Sequence, residues 1–185
     1  MSPISGRLSA NVLKRAKQIQ VLLMDVDGTL SRGVCLLSQP DGTALELKVF
    51  SPHDGAGLML ARMAGLRTGV ITGRESAALT VRARETGLEF VYQKQPVKLP
   101  PYEEILRRAA VDDRAVAFVG DDLPDLPVIQ RVGFAVAVAD AVPEVKRAAH
   151  YVARARGGEG AVREAIEIIL KAQGKWRDLI SRARA

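Results

Sequence analysis

The hydrophobic positions along the chain alternate between short apolar runs and longer stretches with helical spacing. Apolar runs predict strands over residues 20–24, 67–71, 89–92, 115–119 and 133–138. The stretches between them predict helices near residues 55–64, 76–86, 98–110 and 123–131. Wholly apolar strands are typical of parallel sheets covered on both faces, so this order predicts an open α/β sheet with right-handed crossovers.

One segment interrupts this alternation. Residues 34–37 and 45–50 are two short strand-like runs on either side of the turn sequence Pro40-Asp41-Gly42. This pattern predicts a β-hairpin insert over residues 33–50. The hairpin directly follows the loop after the first strand, so we expect it to cover a site at the carboxyl edge of the sheet.

The length favours one domain over residues 1–185. Residues 1–18 look like a helical, basic N-terminal extension. Residues 157–185 form a C-terminal tail that contains Gly157-Gly158 and a helical stretch over 161–173. Both ends are equally compatible with solvated amphipathic faces and with functional segments.

Composition narrows the function classes. A single cysteine, Cys35, excludes an internal disulfide, and no apolar run approaches the ~20 residues of a membrane span. No secretory signal precedes the first strand, so we expect a cytoplasmic protein without a membrane partner. The net charge is +6, but the basic residues are scattered and only 4% of residues are aromatic. Few rings can therefore stack on bases, and we expect no nucleic-acid partner.

Ligand sites in such sheets lie beyond the carboxyl ends of the strands. Asp25 and Asp27 follow the first strand, and positions i and i+2 of an extended chain project to the same side. Paired carboxylates there can hold a hard cation, and one can attack phosphorus while the other manages protons. Asp and Gly28 are also ordinary turn residues, so this motif alone leaves both interpretations open.

Two further strand ends carry groups that suit phosphate. Thr72-Gly73-Arg74 offers a hydroxyl and a glycine amide, although Thr72 also suits a helix N-cap. Lys98 opens a helix, where a cation is unfavourable to the macrodipole. That placement favours a phosphate contact over an ordinary exposed lysine.

Three carboxylates, those of Asp121, Asp122 and Asp125, follow the fourth strand within five positions. They repel one another unless a cation compensates them. The alternative is a helix N-cap with acids that favour the helix dipole, which explains one Asp better than three.

The order Asp-x-Asp, Thr, Lys and Gly-Asp-Asp, each after a strand, resembles the haloacid dehalogenase superfamily of phosphohydrolases over residues 20–172. Within it, several segments look like the 3-deoxy-D-manno-octulosonate 8-phosphate phosphatases, namely the hairpin and residues 50–55, 71–74, 92–93, 98–99, 119–123 and 157–164. The resemblance implies a Rossmann-like parallel sheet flanked by helices, with a small β-hairpin insert and no large cap domain.

The same resemblance implies residue roles. Asp25 would be the nucleophile and Asp27 the general acid/base, while Thr72 and Lys98 would bind the phosphoryl group. The implied cofactor is Mg²⁺, with ligands or supporting groups at Asp25, Asp27 (through its backbone carbonyl), Asp121 and Asp122. Substrate contacts are expected from Asp54, Gly55, Gly73, Arg74 and Arg163.

The implied substrate is a phosphorylated sugar acid, and the implied assembly is a homotetramer. The glycine pair Gly157-Gly158 would be flexible and let the segment with Arg163 reach a neighbour's site. Two departures remove a cation near the sugar acid: His53 and Glu159 each stand where that group usually has Arg. These departures leave a nine-carbon sugar-acid phosphate and another small phosphate ester open as substrates. A phosphomutase reaction and a non-catalytic scaffold are further alternatives. The lack of room for a large cap argues against the mutase, and the retention of Asp25, Asp27, Thr72, Lys98 and Asp121 argues against the scaffold.

Overall fold

Two sheets organise the computed structural model, which describes residues 8–182. Its strands are β1 (Val21–Met24), β2 (Ser31–Ser38), β3 (Ala44–Phe50), β4 (Arg67–Ile71), β5 (Phe90–Tyr92), β6 (Val116–Gly120), β7 (Phe134–Ala137) and β8 (Tyr151–Val152). Its helices are α1 (Ala10–Lys17), α2 (Pro52–Met63), α3 (Ala77–Thr86), α4 (Leu99–Ala109), α5 (Leu126–Ile129), α6 (Pro143–Ala148), α7 (Ala161–Ala172) and α8 (Trp176–Arg182).

The larger sheet is six-stranded and parallel, in the order β5-β4-β1-β6-β7-β8. All four residues of β1 are fully buried, so both faces of the sheet are covered at its centre. Helices α1 and α2 pack on α7, and α5 packs on α4 and α6. The predicted α/β class and the parallel sheet are confirmed.

The helix boundaries follow local capping. Helix α2 begins three residues before the prediction, because Ser51 caps it and Pro52 occupies its first turn. The helix predicted over residues 123–131 is instead a 3₁₀ turn, Leu123–Asp125, followed by the short α5. Pro127 lacks the N–H that would bond to the carbonyl of residue 123 in a continuous helix, whereas Pro124 lies in the first turn, where no such N–H is needed.

The structure contains elements that the sequence pattern did not predict, and it describes most of the two chain ends. Helix α6 and the two-residue β8 were not predicted. Helix α1 agrees with the helical pattern of the N-terminal extension, but residues 1–7 of that extension and 183–185 of the tail lie outside the described residues. Within the part of the chain that is described, no helix is both long and apolar enough to cross a bilayer.

The smaller sheet is the predicted hairpin, with β2 and β3 antiparallel. It lies against its own domain: the Ser76 hydroxyl, at the start of α3, donates a hydrogen bond to Glu46. The Arg82 guanidinium of α3 lies 5.7 Å from the Phe50 ring. The opposite side of the hairpin carries exposed leucines and a valine, so its outer surface is apolar.

Candidate active site

The carboxyl ends of β1, β4 and β6 meet at one cavity of about 320 Å³. Nine of the residues singled out in the sequence line it, namely Asp25, Asp27, Thr72, Gly73, Arg74, Lys98, Asp121, Asp122 and Asp125. These residues are spread over about 100 positions of the chain. The parallel sheet brings them together because each follows a strand or opens the next helix.

Lys98 lies at the bottom of this site with 5% of its surface exposed. Its Nζ donates to Asp25 Oδ1 at 2.5 Å and to Asp125 Oδ1 at 2.6 Å. Burial alone would lower the pKa of Lys98, but the two carboxylates outweigh burial and raise it. Lys98 is therefore a cation fixed beside Asp25, which is the arrangement an incoming phosphate requires.

The sequence singles out Asp125 only as one of three carboxylates that a cation could compensate, and the structure gives it a specific role. It is buried, and its Oδ2 accepts the backbone N–H groups of Asp121 at 2.9 Å and Asp122 at 3.3 Å. Its other oxygen holds Lys98. The pattern Gly-Asp-Asp-x-x-Asp signals a carboxylate at this position, but only the fold reveals its partner 27 residues away.

The two carboxyls of Asp25 and Asp121 are both perturbed by burial. Burial raises the pKa of Asp25 to about 6, against the opposing effect of Lys98. Burial also raises the pKa of Asp121 to about 7, although the Thr29 hydroxyl donates to its Oδ1 at 2.7 Å and so favours the carboxylate. Each group carries a negative charge in a site that disfavours it, which is the condition a bound cation relieves.

The donor atoms of this site fit a hard cation. Asp25, Asp121 and Asp125 each offer an oxygen within 4.8 Å of the others. Gly28, at φ +93°, leaves room for Asp121, since a Cβ at this glycine would collide with Asp121 Oδ2. An all-oxygen donor set suits Mg²⁺ or a similar ion. Asp122 is exposed, and its carboxylate accepts from Leu123 N at 2.8 Å, so its metal role stays a prediction.

Asp27 is held from the side of the hairpin. The Lys48 ammonium donates a hydrogen bond to Asp27 Oδ1, and the Ser31 hydroxyl donates to the same oxygen at 3.3 Å. The second oxygen, Oδ2, is buried without a hydrogen-bond partner among the described residues, and Arg74 Nε lies 3.8 Å from it. Neither Lys48 nor Ser31 was singled out in the sequence.

The residues after β4 suit an anion. Thr72 is 3% exposed, and its Oγ1 accepts from the backbone N–H of Arg74 at 3.4 Å. The side chain of Arg74 is half exposed. The hydroxyl, the Gly73 backbone and a cation therefore border the same cavity as Asp25 and Lys98.

The other expected substrate contacts, Asp54, Gly55 and Arg163, do not line this cavity. Asp54 is fully buried and accepts the N–H groups of Gly160 at 3.1 Å and Arg163 at 2.7 Å, so it caps the start of α7. Gly55 lies against the Arg82 guanidinium. A substrate role for these residues stays a prediction.

The Arg163 side chain lies at a second cavity of about 590 Å³, together with His53 and Glu159. Its guanidinium is bonded to Glu167 at 2.8 Å and lies 5.2 Å from the Trp176 ring. Arg163 thus has partners within its own chain.

The structure gives the glycine pair a role other than flexibility. A Cβ at Gly157 would collide with the Gly28 carbonyl oxygen. Gly158 N donates to Thr29 O at 2.8 Å. These two glycines therefore let the C-terminal segment approach the loop after β1, and with it the site, at backbone contact distance.

With this geometry in place, comparisons with known proteins decide the family. Residues 58–166 match the family model described as haloacid dehalogenase-like hydrolase. The chain belongs to the haloacid dehalogenase-like hydrolase family. The expected fold and the resemblance to this hydrolase family are confirmed.

Relatives of this hydrolase match almost its whole length. The 3-deoxy-D-manno-octulosonate 8-phosphate phosphatase KdsC of Escherichia coli K12 is 41% identical over 170 residues, which cover 92% of this chain and 89% of the relative. The crystal structure of that phosphatase from Yersinia pestis is 41% identical with a TM-score of 0.87, over 92% of this chain and 90% of the other. The enzyme of that name from Moraxella catarrhalis, solved with magnesium, phosphate and KDO, is 35% identical with a TM-score of 0.88, over 94% and 99%.

Proposed function

We propose that this chain is a magnesium-dependent phosphatase that hydrolyses 3-deoxy-D-manno-octulosonate 8-phosphate through an aspartyl-phosphate on Asp25. The observation that carries the proposal is the contact between Asp25 and the buried Lys98 in a cavity that also holds a carboxylate cluster. The 41% identity to phosphatases of that name supports the choice of reaction and substrate.

The metal would be held by Asp25 and Asp121, with the backbone carbonyl of Asp27 and the support of Asp122. When bound, it supplies positive charge that offsets repulsion between the phosphate and the Asp25 carboxylate. Because Asp125 is hydrogen-bonded to Lys98 and to two backbone N–H groups, we assign it to positioning Lys98 rather than to the metal.

In the first step a carboxylate oxygen of Asp25 forms a bond to phosphorus as the bond from phosphorus to the sugar oxygen breaks. Asp27 transfers its proton to that leaving oxygen. Lys98, Thr72 and the amide of Gly73 hold the phosphoryl oxygens while charge builds up on them.

In the second step the deprotonated Asp27 accepts a proton from water as the water oxygen attacks phosphorus. The bond between phosphorus and Asp25 breaks, and the Asp25 carboxylate is restored. Asp27 ends protonated, ready for the next ester. Two displacements at one phosphorus therefore need one nucleophile and one acid/base, and these are the two carboxylates that follow β1.

A second candidate is a nine-carbon sugar-acid phosphate, or another small phosphate ester. Of these, a small phosphate ester without a carboxylate is favoured by Glu159, which stands where the resembled phosphatases usually have Arg and is paired with Arg32 at 3.3 Å. This acidic side chain and His53 reduce the positive charge available to a sugar carboxylate. The candidate changes the substrate and leaves the chemistry of Asp25 unchanged.

A panel of phosphate esters tests both proposals. We expect the largest kcat/KM with 3-deoxy-D-manno-octulosonate 8-phosphate in the presence of Mg²⁺. A larger value with the nine-carbon acid would replace the substrate but keep the phosphatase. No hydrolysis of any sugar phosphate or aryl phosphate would reject the enzymatic proposal and favour the non-catalytic scaffold.

A further inference from the structure

In the hairpin strand β3 the charged side chains face the domain and the apolar side chains face outward, which is the reverse of an ordinary surface strand. Successive side chains of a strand point to opposite faces. Leu45, Leu47 and Val49 are 45–60% exposed, whereas the charged residues between them, Glu46 and Lys48, are less exposed and contact the domain. Charged side chains turned inward are costly unless they are paired, so their partners call for a functional explanation.

Of these two charged residues, Lys48 has the side chain that is completely buried. Its ammonium forms an ion pair with Asp27, the proposed general acid/base. Lys48 does not line the cavity that holds Asp25. It is therefore placed to act on Asp27 and not on a bound substrate.

We propose that Lys48 is a positioning residue for Asp27, so that the hairpin sets the catalytic geometry of its own chain. This inference rests on the phosphatase function proposed above. Lys48 and Ser31 both hold Oδ1 of Asp27, whereas Oδ2 accepts no hydrogen bond from any described residue. With Oδ1 fixed, the carboxyl cannot rotate, and Oδ2 is the oxygen left to exchange a proton with the leaving group.

The relative rates on two esters with different leaving groups distinguish a positioning role from a structural one, since a structural defect would slow both esters equally. A sugar oxygen is a poor leaving group and needs the proton of Asp27, whereas 4-nitrophenolate leaves without one. The value of kcat/KM reports phosphoryl transfer to Asp25, the step in which the acid acts. Misplacing the acid should therefore slow a sugar phosphate far more than 4-nitrophenyl phosphate.

The experiment compares Lys48→Met with the wild type on both esters in the presence of Mg²⁺. Methionine keeps an unbranched apolar stem and removes the charge. We expect kcat/KM for the sugar-acid phosphate to fall by roughly tenfold to a hundredfold, and for the aryl ester by less than about threefold. The ratio of the two values cancels any difference in the folded fraction, so a partly unfolded preparation still gives an answer.

Glu46→Gln is the matched control, because Glu46 is the other inward charge of β3 and contacts Ser76 instead of Asp27. It should change both esters by the same factor. Equal losses on the two esters for Lys48→Met would overturn the positioning role while the wild-type activity still supported the phosphatase. A wild type that hydrolysed neither ester would overturn both proposals.

Discussion

At the scale of single residues, the pair Asp25 and Lys98 decides the chemistry. The nucleophile is tested by Asp25→Asn, which keeps the shape of the side chain but removes its nucleophilic oxygen. We expect kcat to fall by at least about 10³-fold. The fold should persist, because Lys98 keeps its ion pair with Asp125. The substitution also replaces a carboxyl group, whose pKa burial raises to about 6, by a neutral amide.

The check is kcat measured beside the thermal unfolding midpoint of the same preparation. A folded Asp25→Asn protein with substantial phosphatase activity would remove Asp25 from the role of nucleophile. Asp112→Asn is a suitable control, since the Asp112 carboxylate is exposed, accepts the backbone N–H of Arg114 and does not line the cavity. This control variant should lose far less activity.

The metal site gives a second residue-scale prediction, which includes a pH dependence. Burial raises the pKa of Asp25 to about 6 and of Asp121 to about 7, from 3.8. In the metal-free protein these groups therefore favour folding most below pH 3.8, and that contribution is lost as the pH rises through about 6 to 7. Mg²⁺ must displace the same protons, so its stabilisation should grow over that pH range.

Thermal unfolding with and without Mg²⁺ measures this effect independently of turnover. We expect a larger rise in the unfolding midpoint at about pH 8 than at about pH 5. Chelation should also stop phosphatase activity, and added Mg²⁺ should restore it. Full activity after exhaustive chelation, or an Mg²⁺ effect that is equal at both pH values, would contradict the carboxylate site.

The sequence identified the side chains that face the ligand more readily than the side chains that position them. Asp25, Thr72 and Lys98 stand out because each follows a strand or opens a helix, a rule of local order along the chain. Asp125 and Lys48 act through long-range ion pairs, with Lys98 and Asp27 respectively. Such pairs depend on the register of the sheet and the placement of the hairpin, which no local pattern specifies.

At the scale of elements, Asp54 links α2 to α7. Glycine at the N-cap of α7, Gly160, has no side chain to accept the free N–H groups of the first turn. Asp54 accepts two of them from a different helix. Asp54→Ala should therefore lower the free energy of unfolding by about 1–3 kcal/mol, since it leaves two partly buried N–H donors without an acceptor.

Chemical denaturation of Asp54→Ala beside Asp54→Asn measures this cost. Asparagine keeps one acceptor oxygen, so its loss of stability should be smaller. Kinetics separates the structural role from the substrate contact expected from the sequence. A variant of unchanged stability and raised KM would instead place Asp54 on the substrate.

The elements themselves were predictable where burial is strong. The fully apolar β1, β6 and β7 were recognisable because a strand covered on both faces carries a continuous hydrophobic run. The two-residue β8 is too short to produce such a signal. In β3 the inward charges reverse the usual pattern, so the sequence predicts a strand there but not which face meets the domain.

At the scale of the whole molecule, the outer face of the hairpin is the feature that the described chain leaves uncovered. Its apolar residues are between 45% and 60% exposed: Leu37, Leu45, Leu47 and Val49. Clustered apolar residues on a surface mark an interaction site. The inner face of the hairpin already contacts α3 and Asp27, so a partner would meet only the outer one.

We propose that this face joins four copies of the chain into a homotetramer. Symmetric association would bury the same patch on every subunit, and the number four follows from the resemblance to the sugar-acid phosphatases. Light scattering should then give about four times the chain mass of 19.9 kDa. Replacing Leu45 and Val49 together by Lys should dissociate the assembly and spare the catalytic groups, because both side chains point away from the domain.

The activity of that double variant decides whether the sites are shared. A single chain already holds Asp25, Asp27, Lys98 and Asp121 around one cavity, so dissociation leaves the catalytic groups in place. If neighbours complete the site, dissociation should raise KM for the sugar acid, because contacts to the part of the substrate remote from phosphorus are lost. Val81→Lys is the control, as Val81 is 55% exposed on α3 outside the hairpin, and it should change neither mass nor KM. A wild type that is a stable, fully active monomer would refute the tetramer, and a dissociated variant with unchanged KM would refute the shared site alone.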